Sequence, residues 1–124
     1  MSPFAKSTLG FAAGRIAYAV ALVVAPKQAA GPWLGEVAEE GGGRVASRGL
    51  VARDAFLAVG AAVAALREQP VRPWLAACIA SDLADITATL ADREELPRHA
   101  ALGTVLVAGA AAAGGARLFA AAER

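Results

Sequence analysis

Apolar residues fall into four runs, each long enough to cross a bilayer, separated by short polar or proline-bearing stretches. The first, residues 8–25, is apolar except for Arg15 and closes at Pro26. Ser7 or Thr8 is the expected N-cap. A secretory leader is the rival for this run, with Lys6 as its charged flank, but Arg15 interrupts the apolar core that a leader requires. The second run, 45–66, carries Arg48, Arg53 and Asp54 in its first half and is uninterrupted afterwards. The third, 74–91, follows Pro73, a residue suited to a helix start, and holds Asp82 and Asp85 near its middle. The fourth, 99–122, has no charge before Arg117 and is rich in glycine. Each run falls within the roughly 17–25 residues that a membrane helix needs. The pattern predicts an all-α fold: a four-helix transmembrane bundle of up-down-up-down topology, occupying residues 1–124 as one domain.

The connections carry turn signals. Residues 27–44 form the longest, with Gly31-Pro32, three glutamates and the triplet Gly41-Gly42-Gly43. Residues 33–37 within it read as a short amphipathic turn at a membrane surface, with Trp33 in the headgroup layer, where tryptophan is enriched. Trp74 is expected at a second interface for the same reason.

Composition strengthens the membrane reading. The chain of 124 residues is 57% hydrophobic and 19% charged, with a mean hydropathy of +0.50. Soluble domains sit nearer 45–50% apolar and about 25% charged. Much of the apolar content is alanine, the strongest helix former, so a soluble alanine-rich bundle is the alternative architecture and a sheet is excluded. Small residues recur every fourth position, as Gly10 and Gly14, as Ala13, Ala17, Ala21 and Ala25, and as Ala76, Ala80, Ala84 and Ala88. Such stripes favour close helix contact, and the glycines of the fourth run suggest a packing face for self-association.

Net charge is +1 and the basic residues are scattered, which excludes a polyanion such as nucleic acid as partner. The expected partners are the lipid bilayer and a second copy or another membrane protein. With four spans the basic residues divide five against five between the two sides, Arg124 among them, so the positive-inside rule does not orient the chain. The glutamate-rich connection favours termini in the cytoplasm. A single cysteine, Cys78, and a single histidine, His99, provide no metal site of the usual types. There is no Ser-His-Asp or Cys-His constellation, and Gly41-Gly42-Gly43-Arg44 lacks the Lys-Ser/Thr of a phosphate loop. No cofactor is implied, and the residues lean away from an enzyme.

The candidate chemistry is the interior polar set Arg15, Tyr18, Arg53, Asp54, Asp82 and Asp85. Charges at membrane depth are rare, face the bundle interior and pair. At 1.5 Å rise per residue, Arg15 and Asp82 both lie about 12–13 Å from the side that holds the termini, and Arg53, Asp54 and Asp85 about 18–20 Å. Arg15 is therefore expected to meet Asp82, and Arg53 to meet Asp85, with Tyr18 one turn deeper than Arg15. Two arginines against three aspartates leave one negative charge. Either Asp54 pairs with Arg48 or Arg53 along its own helix, or one aspartate is neutral. Ser81, Thr87, Thr89 and Thr104 are expected to bond their own helix backbones.

The segment Arg48-Gly49-Leu50-Val51-Ala52-Arg53-Asp54 followed by Gly60, the early Arg15 and Asp82-x-x-Asp85 resemble a family of small bacterial and fungal membrane proteins catalogued as a domain of unknown function. That resemblance covers most of the chain. It implies four spans and importance for Arg53, Asp54 and Asp85, and it implies no activity; the expected location of the chain is a bacterial inner (plasma) membrane. Three functions are compatible with these residues. One is a structural or accessory membrane subunit whose ion pairs set the packing. Another is a dimeric proton-coupled small-molecule transporter. The third is a membrane-embedded enzyme on a lipophilic metabolite, with Asp82 and Asp85 as acid and base. The third predicts a cavity reaching Asp82 or Asp85 from the lipid side; a dry, fully packed layer there rules the third out and favours the first.

Overall fold

A computed structural model describes residues 1–122; Glu123 and Arg124, the latter part of the basic-residue count above, lie outside the described residues. Among the described residues the fold is all-helical, with no strand. Four long helices, α1 (Pro3–Val24), α3 (Gly41–Leu66), α4 (Arg72–Ala91) and α5 (Ala100–Ala121), are joined by a shorter helix α2 (Pro26–Leu34) and two single 3₁₀ turns, Gly35–Glu39 and Arg93–Glu95. The four long helices are long and apolar enough to cross a membrane.

Local chemistry sets the boundaries and corrects three expectations. α1 begins at Pro3, not near Thr8, because the Ser2 hydroxyl accepts the Ala5 amide at 3.0 Å and Pro3 fits the first helical turn. The 27–44 connection is mostly helical. The Gly31-Pro32 turn signal is overridden: Ala30 is fully buried, packs with Leu22 and Ala38, and Pro32 lies inside α2. The chain turns at Gly35 instead, where φ is +71°, a conformation that glycine adopts without steric cost. The glycine triplet is not a turn either. It forms the start of α3, where the backbone of Gly43 lies so close to the Val37 carbonyl that a Cβ there would overlap it.

α1 packs chiefly on α3, and α4 chiefly on α5; lesser contacts join α3 to α4 and α1 to α5. The helices thus close a ring in which α1 and α4 lie diagonally opposite. At one end of this ring, the Phe4 end, one apolar cluster joins Ala5, Ala61, Ala64, Val71 and Leu75, with Phe4, Phe11, Trp74 and Phe119 packed against it. At the Leu22 end of α1 a second cluster joins Leu22, Ala30 and Ala38.

The interior combines alanine and a few larger apolar residues, Leu22, Val71, Leu75 and Cys78, with Thr8, Arg15, Ser47, Asp54, Ser81, Asp82 and Thr89, whereas Val20, Val24, Phe56, Val59, Leu83, Leu102, Leu106 and Val107 face outward. The α4 alanine stripe faces outward, with Ala76, Ala80, Ala84 and Ala88 exposed, and the α1 stripe runs from exposed Ala13 and Ala17 to half-buried Ala21 and Ala25. Gly10 and Gly14 have no atom within 4 Å of a built Cβ, so that pair does not seat a neighbouring helix in the chain.

Candidate functional site: a charged cluster beside a cleft

Of the six predicted polar residues, Arg15, Asp54 and Asp82 are buried and Tyr18, Arg53 and Asp85 half-buried, and packing brings five of the six together. Arg15 belongs to the buried stripe of α1 that includes Thr8, Ala12 and Ala19. Its guanidinium crosses the ring to α4, where one terminal nitrogen, Nη1, donates to both carboxylate oxygens of Asp82, at 3.0 and 2.8 Å. The other, Nη2, donates to Asp54 Oδ1 at 3.1 Å and to the Ser81 hydroxyl at 3.2 Å. Arg53 grips Asp85 with two parallel bonds of 2.9 and 2.7 Å. Both pairings expected from residue depth are present.

Asp54 does more than the sequence suggested. Its Oδ1 accepts from Arg53 Nε and Nη2, each at 3.1 Å, as well as from Arg15. It therefore joins the two pairs into one chain of charge, Asp82–Arg15–Asp54–Arg53–Asp85. Arg48, the alternative partner, is exposed and takes no part. Arg15, Asp54 and Asp82 are each at most 7% exposed, whereas the Arg53–Asp85 pair lies nearer the surface. Three carboxylates face two guanidinium groups, so the cluster keeps one uncompensated negative charge if all are ionised.

Two details complete the hydrogen-bond account. Arg15 Nε is buried and finds no acceptor. Asp54 Oδ2 accepts no hydrogen bond from the described residues, while every other carboxylate oxygen in the cluster has a donor.

Beside the cluster lies a cleft of about 660 Å³. It is walled in part by α1 and α5. At the Phe4 end they touch through Phe11, whose ring lies 3.5 Å from the Cβ position of Gly115. Gly10 and Gly14 on α1 and Gly103 on α5 line the cleft without a side chain, and no atom lies within 4 Å of a Cβ built at any of them. Arg15, Asp54, Asp82 and Asp85 form its charged wall. Tyr18 lines it with a hydroxyl free of hydrogen bonds to the described residues. Val107, Ala108 and Ala111 of α5 face them, and His99 and Thr104 add polar edges. Pro32 and Trp33 of α2 also contribute to the lining. Trp33 is held there by donating its indole N–H to the Thr89 hydroxyl at 2.8 Å.

No family model, curated protein or solved structure matches this chain.

Several side chains have roles that spacing did not reveal. Ser81 and Thr89 do bond their own backbone, to Cys78 and Asp85 at 2.8 and 2.7 Å, and Thr87 bonds Leu83 at 2.8 Å. Ser81 and Thr89 each accept a second bond, from Arg15 and Trp33. Thr104 faces the cleft and makes no such bond. Trp74 packs over Gly60 and stacks edge-on against Phe56, with ring centroids 5.4 Å apart. Among the described residues no group of three or more His, Cys, Asp or Glu could hold a metal ion.

Proposed function

We propose that the chain is an integral membrane protein, α1, α3, α4 and α5 crossing in up-down-up-down order, and that its charged cluster serves a cleft binding a small lipid-soluble molecule, in the manner of a carrier. The observation that carries this reading is the cleft of about 660 Å³ reaching Asp54, Asp82 and Asp85. Ligand sites commonly span about 300–1,000 Å³ and combine apolar walls with a few polar groups. A purely structural subunit would call for a packed layer at the same depth.

The membrane setting is supported by four apolar helices and by burial that turns charge inward and valine and leucine outward. In water this arrangement would expose large apolar surface; in lipid it is the stable one. The helix order is supported by the cluster at the Phe4 end, which gathers the starts of α1 and α4 with the ends of α3 and α5. Location in a bacterial inner membrane, termini in the cytoplasm and action as a dimer or with a membrane partner belong to the same proposal. An acid–base role for Asp82 and Asp85 is disfavoured, because guanidinium donors occupy both oxygens of each.

Cysteine labelling tests it. In a Cys78→Ala background, Thr104→Cys places a thiol in the cleft and Leu106→Cys places one on the outer face of the same helix. A thiol reacts as its thiolate, which needs a polar surrounding. In native membranes N-ethylmaleimide should modify Thr104→Cys much faster than Leu106→Cys. Equal, slow labelling of both would show a dry or lipid-sealed layer and defeat the proposal.

A further inference from the structure

We propose that the cleft selects an organic monocation: a compact, largely apolar molecule with one protonated nitrogen, seated against Asp54 Oδ2. This rests on the cleft being a binding site and goes on to name what it binds.

Charge supplies the first argument. The cluster of Arg15, Arg53, Asp54, Asp82 and Asp85 carries one more carboxylate than guanidinium groups. An unbalanced charge at membrane depth is costly, and a cation in the adjoining space offsets it.

Hydrogen bonding supplies the second. Asp82 and Asp85 already have a guanidinium donor on each oxygen, so a ligand there would share its acceptor with an arginine. Asp54 is only 5% exposed and lines the cleft, yet its Oδ2 is the one carboxylate oxygen of the cluster without a donor among the described residues. A protonated amine donates to that oxygen and completes the set. The unpartnered Arg15 Nε does not argue for an anion, because that atom has essentially no accessible surface from which to be reached.

The walls supply the third. Phe11, Tyr18 and Trp33 line the cleft, and aromatic faces attract cations. Phe11 already does so for Arg15, whose guanidinium carbon lies 5.8 Å from the ring centroid. The remaining lining is largely glycine and alanine, which suits an apolar body, with His99 and Thr104 as its only other polar side chains among the described residues.

Three probes that share one hydrocarbon cage and differ in charge test this: aminoadamantane, adamantanol and adamantanecarboxylate. Titrated into the purified full chain carrying Trp74→Phe, each is followed by the fluorescence of Trp33. The ammonium form should bind at least about tenfold tighter than the alcohol, a difference of about 1.4 kcal/mol, and the carboxylate weakest. Asp54→Asn should erase the preference. Because that variant loosens both arginines, the deciding measurement is the ranking of the three probes in the chain with Asp54 intact. Equal affinities or a preference for the carboxylate overturn the cation. If such binding is abolished by Gly103→Leu, which fills the cleft, the cleft stands as a binding site and only the ligand class falls. No Trp33 response to any probe, with Thr104→Cys unreactive, removes both.

Discussion

The two halves of the α1–α5 interface are built from the same small residues and end in opposite states. At the Phe4 end, Gly114 and Gly115 of α5 receive Phe11 from α1, and Gly115 also receives Ile79 from α4, so the missing side chains become close contact. Nearer the Leu22 end, Gly14 and Gly103 receive nothing, and the missing side chains become a cleft beside the charges. A small residue removes volume; whether that yields contact or cavity depends on whether a large neighbour arrives to fill it. Here Phe11 marks the border. It closes the packed half, and its ring also lies beside the Arg15 guanidinium that bounds the open one.

The largest effect expected from breaking this contrast lies in the open half. Arg15→Leu leaves Asp82 with no donor and removes one of the links to Asp54. Breaking a buried pair from one side costs about 3–5 kcal/mol. Unfolding in detergent, followed by circular dichroism, should register that loss, and Arg15→Leu combined with Asp82→Leu should recover most of it. A single variant as stable as the double would mean that the buried charges are not coupled.

Next comes the packed half. Gly115→Leu must displace Ile79, whose Cγ1 lies 3.0 Å from the Cβ position, and such overpacking costs about 1–3 kcal/mol. Gly14→Leu, which projects into open space, should lack that penalty. The same melting measurement decides. Equal destabilisation by the two would erase the difference between the halves.

The smallest effect concerns the edge of the cleft. Trp33→Phe keeps the aromatic surface but loses the hydrogen bond to Thr89, for an expected loss of about 1 kcal/mol. If α2 is held over the cleft by that bond, amide exchange across Pro26–Leu34 should quicken in the variant while α4 is unchanged.

Depth along four apolar runs was enough to pair Arg15 with Asp82 and Arg53 with Asp85, because helical rise is constant and charges in an apolar layer have few partners. The bridging role of Asp54 was not legible. Its nearest charge in sequence is Arg53, and the approach of Arg15 depends on how α1 rotates against α3. Ser81 and Trp33 were missed for a related reason: each has a local or interfacial role that explains its presence, and the second bond requires a neighbour fixed by the fold. The small-residue stripes did not by themselves locate a contact within the chain, since the periodicity that suits a helix contact also suits an outward face in an alanine-rich chain, as on α4.

Sequence alone therefore determined what depends on one helix at a time: helical class, the number and length of apolar runs, and the height of each charge. Tertiary structure decided what depends on how helices rotate and spread. Turn signals at Gly31-Pro32 and Gly41-Gly42-Gly43 yielded to the packing of Ala30 and Gly43. The same glycines and alanines became contact near Phe4 and empty space near Asp54. A small side chain specifies only the absence of volume, and the neighbour that fills or leaves that volume comes from a distant part of the chain.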